Sequence, residues 1–399
     1  MRDNVADNNE AAPMDTVELF TGCGGLALGL ARAGFQARRM SEWDKHSVAN
    51  IEFNRANGLK PISHWPIHME DVRTVRWSDY HRVDLVAGGP PCQPFSIGGL
   101  HRGQEDKRDM WPEAVRAVRE IQPRAFLFEN VRGLLRPAFE RYLRWVMLSL
   151  SNPEIEIAKD EERITHLERL EKKKSPATYN VRLFRINAAD YGAPQKRHRV
   201  IIIGLHGDLQ QWPDSPAGTH TRERLLWDKW VTGTYWHRHG LKKPRVIPAA
   251  DGPLVERLVD QSLIPPKSKP WITVRDALYG LGKPGSRPDL ANHVLQPGAR
   301  SYPGHTGSLL DEPAKALKAG VHGVPGGENM IALGNGKVRY LTVREAARLQ
   351  NLPDKYEFIG SWSENMRQLG NAVPASLAEV FARRLVEILS KSSGKKRAA

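Results

Sequence analysis

The segment GGPPCQPFS sets Cys92 behind a short apolar run, DLVAG, and directly after two prolines. Proline fixes φ and removes a backbone donor, so the thiol projects from a rigid turn. Nearby cations and oriented N–H groups give such a cysteine thiolate character, the form that acts as a nucleophile. A cysteine kept only for packing belongs in an apolar element, whereas this stretch is polar, glycine-rich and loop-like. Cys23 is the reverse case, a small residue inside the glycine turn ELFTGCGG, where packing is its simplest use. Downstream of Cys92, SIGGLHRGQEDKRDMW has the glycine and polar content of a segment able to close over substrate, or of plain surface loop.

Two further groups could work with that thiol. AFLFENVRGLL ends an apolar strand on Glu129 and Asn130, and a carboxylate in that place can act as acid or hydrogen-bond donor, or merely as a cap. PQKRHRV sets Arg197 and Arg199 two apart, on one side of an entering strand, a spacing suited to a clamp on phosphate or carboxylate and equally to an exposed polar face. Upstream, VELFTGCGGLALGLARAGF carries Gly22, Gly24 and Ala27 in the G-x-G-x-x-G/A pattern between strand and helix, which lets the backbone approach a ligand closely. Glu42, in SEWD about twenty residues on, stands where an acid takes ribose hydroxyls, and Trp43 beside it can stack on an adenine ring. On these residues alone a nicotinamide enzyme and an adenosyl-methionine enzyme both remain open.

The elements that must position these groups are strands alternating with helices. Thr16–Phe20, Val83–Ala87, Ala125–Phe128, Val181–Arg185 and Val200–Ile203 read as short buried strands, each followed by glycine, proline or a polar turn. Between them lie helical patterns such as Glu113–Ile121, with Ala114, Val115, Val118 and Ile121 on one face. The alternation predicts an α/β, doubly wound, mostly parallel sheet with helices on both faces and binding loops at the strands' C-terminal ends. Residues 154–174 are charge-dense and read as an exposed helix or mobile insertion. Residues 206–338, rich in Pro, Gly, His and Trp, with Trp212, Trp227, Trp230 and Trp236 close together, read as a second, loop-rich domain. Helical pattern returns at VREAARLQ and at SLAEVFARRLVEILS, whose Leu377, Val380, Phe381, Leu385 and Ile388 form one stripe.

Composition narrows the class of partner. The 399 residues hold 59 Lys+Arg against 45 Asp+Glu, a net +14, which points to a polyanion. The first 110 residues are slightly acidic, and the basic excess lies in residues 111–340 and in the C-terminal tail. Two cysteines exclude a disulfide-stapled scaffold and a multi-cysteine metal site, and no metal is expected. There is no apolar run long enough to span a membrane and no apolar leader in MRDNVADNNEAAPM, so the expected location is the cytoplasm, associated with the nucleoid.

Taken in order, ELFTGCGG, SEWD, GGPPCQPFS, FENV, PQKRHR, RYLTVREAARLQNLPD and QLGNAVP resemble the motifs of the DNA (cytosine-5-)-methyltransferase family. LKAGVHGVPGGEN and ITVRDAL look like segments found in part of that family. The departures are mild: Glu18 stands where Asp is usual, Thr21 where Ala is common, and the 154–174 insertion exceeds the minimal form. The resemblance implies an S-adenosyl-L-methionine enzyme that methylates carbon 5 of a cytosine flipped out of duplex DNA. Cys92 would add to ring carbon 6, Glu129 would contact ring nitrogen 3, and Arg197 and Arg199 would position the base and stabilise the intermediate. The cofactor set it implies is Phe20, Gly22, Cys23, Gly24, Gly25, Glu42, Trp43, Asp71, Val72, Pro90, Met110, Asn371 and Val373, with Gln93, Ser96 and Arg197 on DNA. It also implies a division into an unstructured 1–14, a catalytic and cofactor-binding part at 15–205 plus 339–390, a target-recognition domain at 206–338 and an unstructured basic tail at 391–399. The protein is expected to be a monomer, with a cognate restriction endonuclease as functional partner. A tRNA cytosine-5 methyltransferase, or a catalytically silent DNA-binding homologue, is the alternative. The large 206–338 region argues against the first, and intact Cys92, Glu129, Arg197 and Asn371 against the second.

Overall fold

A computed structural model of the chain describes residues 13–91, 109–209, 215–261, 264–319 and 329–396. The first half alternates as its apolar pattern predicts: β1 (Met14–Leu19), α1 (Gly25–Arg32), β2 (Phe35–Glu42), α2 (Lys45–Ala56), β3 (Ile67–Met69), β4 (Leu85–Gly88), α3 (Trp111–Ile121) and β5 (Ala125–Val131). There follow α4 (Glu140–Ser151), α5 (Arg163–Glu171), β6 (Tyr179–Asn187), β7 (Gln195–Lys196) and β8 (His198–His206). Seven of these strands form one sheet in the order β3-β2-β1-β4-β5-β8-β6. Every pairing is parallel except those of β8, which runs antiparallel to both β5 and β6. Val17, Leu19, Leu85, Val86, Phe126 and Phe128 are fully buried, so helices must cover both faces, as a parallel sheet requires.

Strand order reverses at β1, which has β2 on one side and β4 on the other. In such sheets the crevice beyond the strand ends at the switch point receives ligands. The two ends approach closely there, since a Cβ on Gly88 would lie 2.6 Å from the Leu19 carbonyl oxygen. Sequence segments expected around a ligand, the glycine turn after β1 and the prolines after β4, therefore stand side by side.

The remaining chain supplies short pieces: β9 (His220–Thr221), α6 (Arg222–Leu226), a π-helical turn at Trp227–Val231, α7 (Thr234–Arg238), α8 (Gly252–Gln261), β10 (Lys269–Pro270), α9 (Val274–Leu278) and β11 (Ala314–Lys315). Leu225, Leu226, Trp227, Trp230, Tyr235, Trp236, Val255 and Leu258 form a separate small core, while Trp212 lies outside the described residues. Within the span expected as a second domain, Val274, Ala314, Leu317 and Ile331 instead join the core that holds Cys23, Met40 and Leu341. The hairpin β12 (Met330–Gly334) and β13 (Lys337–Tyr340) leads into α10 (Val343–Leu349), α11 (Trp362–Asn371) and α12 (Ala375–Lys396).

Two expectations change here. Helix α12 runs to Lys396, past residue 391, where an unstructured tail was expected. Within 154–174, α5 is neither exposed throughout nor loose: His166, Leu167 and Leu170 are buried against α4, because the sparse apolar residues fall on one helical face.

Candidate active site

The glycine turn bends back through left-handed backbone at Phe20 (φ 58°), Gly22 (φ 58°) and Gly24 (φ 83°). A Cβ on Gly24 would meet the Trp65 ring at 2.4 Å, and one on Gly25 the Val373 carbonyl oxygen at 2.2 Å. Backbone from QLGNAVP thus sits directly on a turn near the other end of the chain. Glu42 braces the turn from β2. Its Oε2 accepts from the Gly22 N–H and its Oε1 from the Asp44 N–H, each at 2.7 Å. Burial pushes the Glu42 carboxyl up from the usual carboxylate range, and those N–H groups oppose the shift.

Around this centre the other expected cofactor residues take different places. Trp43 is 66 % exposed, with the Arg73 guanidinium 5.9 Å from its ring centre. Asp71 accepts from Arg73 Nε at 2.8 Å and Nη2 at 2.6 Å, and this pairing holds its carboxyl below the usual range. Val72 and Val373 are buried, Met110 is half-buried, and Asn371 is exposed at the end of α11. Cys23 is buried with Sγ 3.9 Å from the Gln368 carbonyl oxygen, and burial pushes its thiol up to about 12. So high a value leaves no thiolate at neutral pH, in keeping with a packing role.

Across the β1–β4 crevice, Glu129 lies on β5 and is 7 % exposed. Arg199 Nε approaches its Oε1 at 2.7 Å, a close ion pair rather than an aligned hydrogen bond. The register explains the meeting: Arg199 is opposite Val131 on the antiparallel neighbour, two residues along from Glu129. A Cβ on Gly89 would lie 3.8 Å from Glu129 Oε2, and Asn130 Nδ2 donates to the Pro90 carbonyl at 3.0 Å. Glu129, Arg199 and Asn130 therefore gather at the backbone that leads into Cys92. Cys92 itself, with Gln93 and Ser96, lies outside the described residues.

Arg197 departs from the expected paired clamp. Its side chain turns inward, 1 % exposed, and donates to the Leu317 carbonyl at 2.9 Å and the Gly370 carbonyl at 2.8 Å. The strand is broken between β7 and β8 at this residue, so alternation no longer puts both arginines on one side. Through these two carbonyls Arg197 joins three distant segments.

A further group of residues has no signature in the sequence. A cleft of about 760 Å³ is lined by Lys196, Lys315, Lys318 and Lys337, with Ser301 and Thr306 on its wall. Lys196 belongs to PQKRHR, but the other lysines are scattered singly through a region without periodicity. The parallel pairing of β7 with β11 is what brings Lys196 and Lys315 together.

Residues 14–229 and 302–387 match the profile of C-5 cytosine-specific DNA methylase. The chain belongs to the C-5 cytosine-specific DNA methylase family. It is 31 % identical to the Type II methyltransferase M.PspPI of Psychrobacter sp. (strain TA137), over 94 % of this chain and 79 % of that protein. It is 28 % identical to the Type II methyltransferase M.NgoMIV of Neisseria gonorrhoeae, over 95 % and 99 % respectively. Among solved structures, the Dnmt2 methyltransferase of S. pombe shares the fold with a TM-score of 0.56 and 15 % identity, over 94 % of this chain and 98 % of that one. The enzyme is a DNA cytosine-5 methyltransferase, and its cofactor is S-adenosyl-L-methionine.

The residues at the glycine turn fit that cofactor. Thr21 Oγ1 and Glu18 Oε1 are buried beside the turn without a hydrogen-bond partner among the described residues, as expected where a polar ligand completes the site. Each Glu42 oxygen accepts one N–H bond and keeps a lone pair for a hydroxyl. No helix among the described residues is long and apolar enough to cross a membrane.

Proposed function

We propose that this methylase modifies a cytosine at a specific site in duplex DNA, with the base flipped into the crevice between the glycine turn and Glu129. The observation that carries this is the meeting of Glu129, Arg199 and the Gly89–Pro90 backbone beside the switch point of the sheet. The cofactor supplies an electrophilic methyl on its sulfonium. Carbon 5 of cytosine is a poor nucleophile until a thiolate adds to carbon 6, and Cys92 makes that bond. As the thiolate adds, the Glu129 carboxyl delivers a proton to ring nitrogen 3 and so neutralises the negative charge that builds there, while Arg199, 2.7 Å away, holds the carboxyl in place. After methylation, a base (water or a hydroxide at the site) takes the carbon-5 proton, the carbon-6–sulfur bond breaks with its electron pair on Cys92, and the departing thiolate leaves the aromatic ring restored.

On the cofactor side, Glu42 takes the ribose hydroxyls, Trp43 an adenine face, and Asp71 with Val72 the adenine edge. Phe20, Gly22, Gly24, Gly25, Pro90, Met110, Asn371 and Val373 complete the pocket, and Cys23 contributes packing only. Arg197 acts as a positioning residue through the carbonyls it holds. The lysine cleft takes DNA phosphates, and neighbouring parts of residues 206–338 serve as the target-recognition region, with Gln93 and Ser96 near the extruded base. The name Type II methyltransferase borne by the relatives supports a restriction–modification setting; in this reading the enzyme works as a monomer at the nucleoid, with a cognate endonuclease as functional partner.

Incubation with labelled S-adenosylmethionine and duplex DNA or tRNA, followed by bisulfite mapping, should show label at one DNA sequence; label confined to tRNA would refute this reading. Cys92→Ala should abolish transfer while duplex binding persists. Glu129→Gln should slow transfer by about a hundred- to a thousandfold, as loss of a transition-state partner does. Retained turnover in Cys92→Ala would place the nucleophile elsewhere.

A further inference from the structure

The charged insertion makes a buried ion pair that its sequence does not advertise. Arg163, the first residue of α5, pairs through Nη2 with Asp109 Oδ2 at 3.0 Å, and the two side chains are 15 % and 4 % exposed. Asp109 Oδ1 also accepts from the Tyr142 hydroxyl at 2.6 Å and from the Trp111 N–H at 3.2 Å. The guanidinium lies over two aromatic rings, 4.9 Å from the centre of Tyr142 and 4.6 Å from that of Trp145. Helix α5 is itself pinned beneath: Trp145 Nε1 donates to His166 Nδ1 at 3.0 Å, and His166 Nε2 donates to the Ile155 carbonyl at 2.8 Å. Exposed ion pairs are worth little, but a buried pair that loses one member leaves a desolvated, uncompensated charge.

Asp109 sits at the entrance to α3, next to Met110. Met110 and Phe20 each pack against one apolar cluster, and Trp111 is fully buried in that cluster. The carboxylate thus fixes where α3 begins, and with it the backbone that carries Met110 onto the cluster on which Phe20 of the glycine turn also packs.

We propose that Arg163 is a positioning residue for cofactor binding: from the inserted helix, it holds Asp109 and so sets Met110 against the Phe20 side of the pocket. The inference rests on the cofactor role given above to Met110 and Phe20. It makes the insertion part of the binding apparatus rather than an appendage on the surface.

Equilibrium dialysis with labelled S-adenosylmethionine, without DNA, tests this directly on the full chain. Arg163→Ala should weaken binding about tenfold, the scale on which a displaced pocket wall acts. Leu167→Ala removes packing from the same helix without touching Asp109; it should lower the melting temperature yet keep affinity within about twofold. Arg163→Lys, which keeps a charge near Asp109, should recover part of the affinity. Equal weakening in Leu167→Ala and Arg163→Ala at equal stability loss would overturn the proposal, since general loosening would explain both. Unchanged affinity in Arg163→Ala beside a weakened Met110→Ala overturns the positioning role alone. Unchanged affinity in Met110→Ala overturns the cofactor reading of Met110, and the proposal with it.

Discussion

Replacing Gly25 with alanine tests whether the cofactor turn and the QLGNAVP segment work as one unit. The added Cβ would stand 2.2 Å from the Val373 carbonyl oxygen, whereas ordinary contact begins near 3.4 Å. The obstacle is backbone on both sides, so no rotamer change relieves it. Retreat is blocked as well: α1 starts at Gly25 and α12 at Ala375, and a Cβ on Gly29 would lie 2.4 Å from that of Ala378, so the helices touch again one turn on. Overpacking of this kind costs about 1–3 kcal/mol. If the strain falls on the pocket, cofactor affinity drops about 5- to 150-fold, at about 1.4 kcal/mol per tenfold change. Equilibrium dialysis of S-adenosylmethionine without DNA reads the affinity, and thermal unfolding reads the remainder. Gly58→Ala is the control, a left-handed glycine (φ +68°) with nothing within 4 Å of its added Cβ; it should cost stability and leave affinity unchanged. A Gly25→Ala enzyme that binds within about twofold of wild type, with an unshifted melting curve, would refute this coupling.

The lysine cleft makes a prediction about salt. Each lysine that neutralises a DNA phosphate adds about 0.9 to the steepness with which log affinity falls against log salt. Lys315→Ala and Lys337→Ala should therefore each flatten that slope by about 0.9, and an unchanged slope would remove the cleft from the DNA interface. His166 predicts a pH effect on stability. Burial holds its pKa below the ordinary value of 6.5, so the folded chain keeps it neutral while the unfolded chain takes up a proton first. Its contribution is therefore complete above pH 6.5 and is lost as pH falls below it, and His166→Gln should reduce the drop in melting temperature on acidification. An equal drop in both proteins would show that other groups carry the acid sensitivity.

The structure also separates residues that look alike in the sequence. Glu18 and Glu42 both lie near strand ends, Glu18 buried and Glu42 half-buried, with carboxyls raised by desolvation. Glu42 nevertheless receives two backbone N–H bonds at the turn, while Glu18 Oε1 has no partner among the described residues. Arg197 and Arg199 share a motif, yet one holds carbonyls in the interior and the other faces Glu129.

What the sequence by itself determines is local and ordered. Apolar runs such as DLVAG and AFLF can be satisfied only as buried strands. Glycine at 22 and 24 permits a left-handed turn, and the succession from ELFTGCGG to QLGNAVP carries the family and its chemistry. These signals survive without a fold because they depend on neighbours a few residues apart. Tertiary structure decides the partners. The Val373 backbone against Gly25, Arg163 on Asp109, Lys196 beside Lys315 and the inward turn of Arg197 all join residues far apart in the chain. No periodicity encodes such meetings, because sheet order and register set them, and each costs chain entropy that only the assembled core can offset.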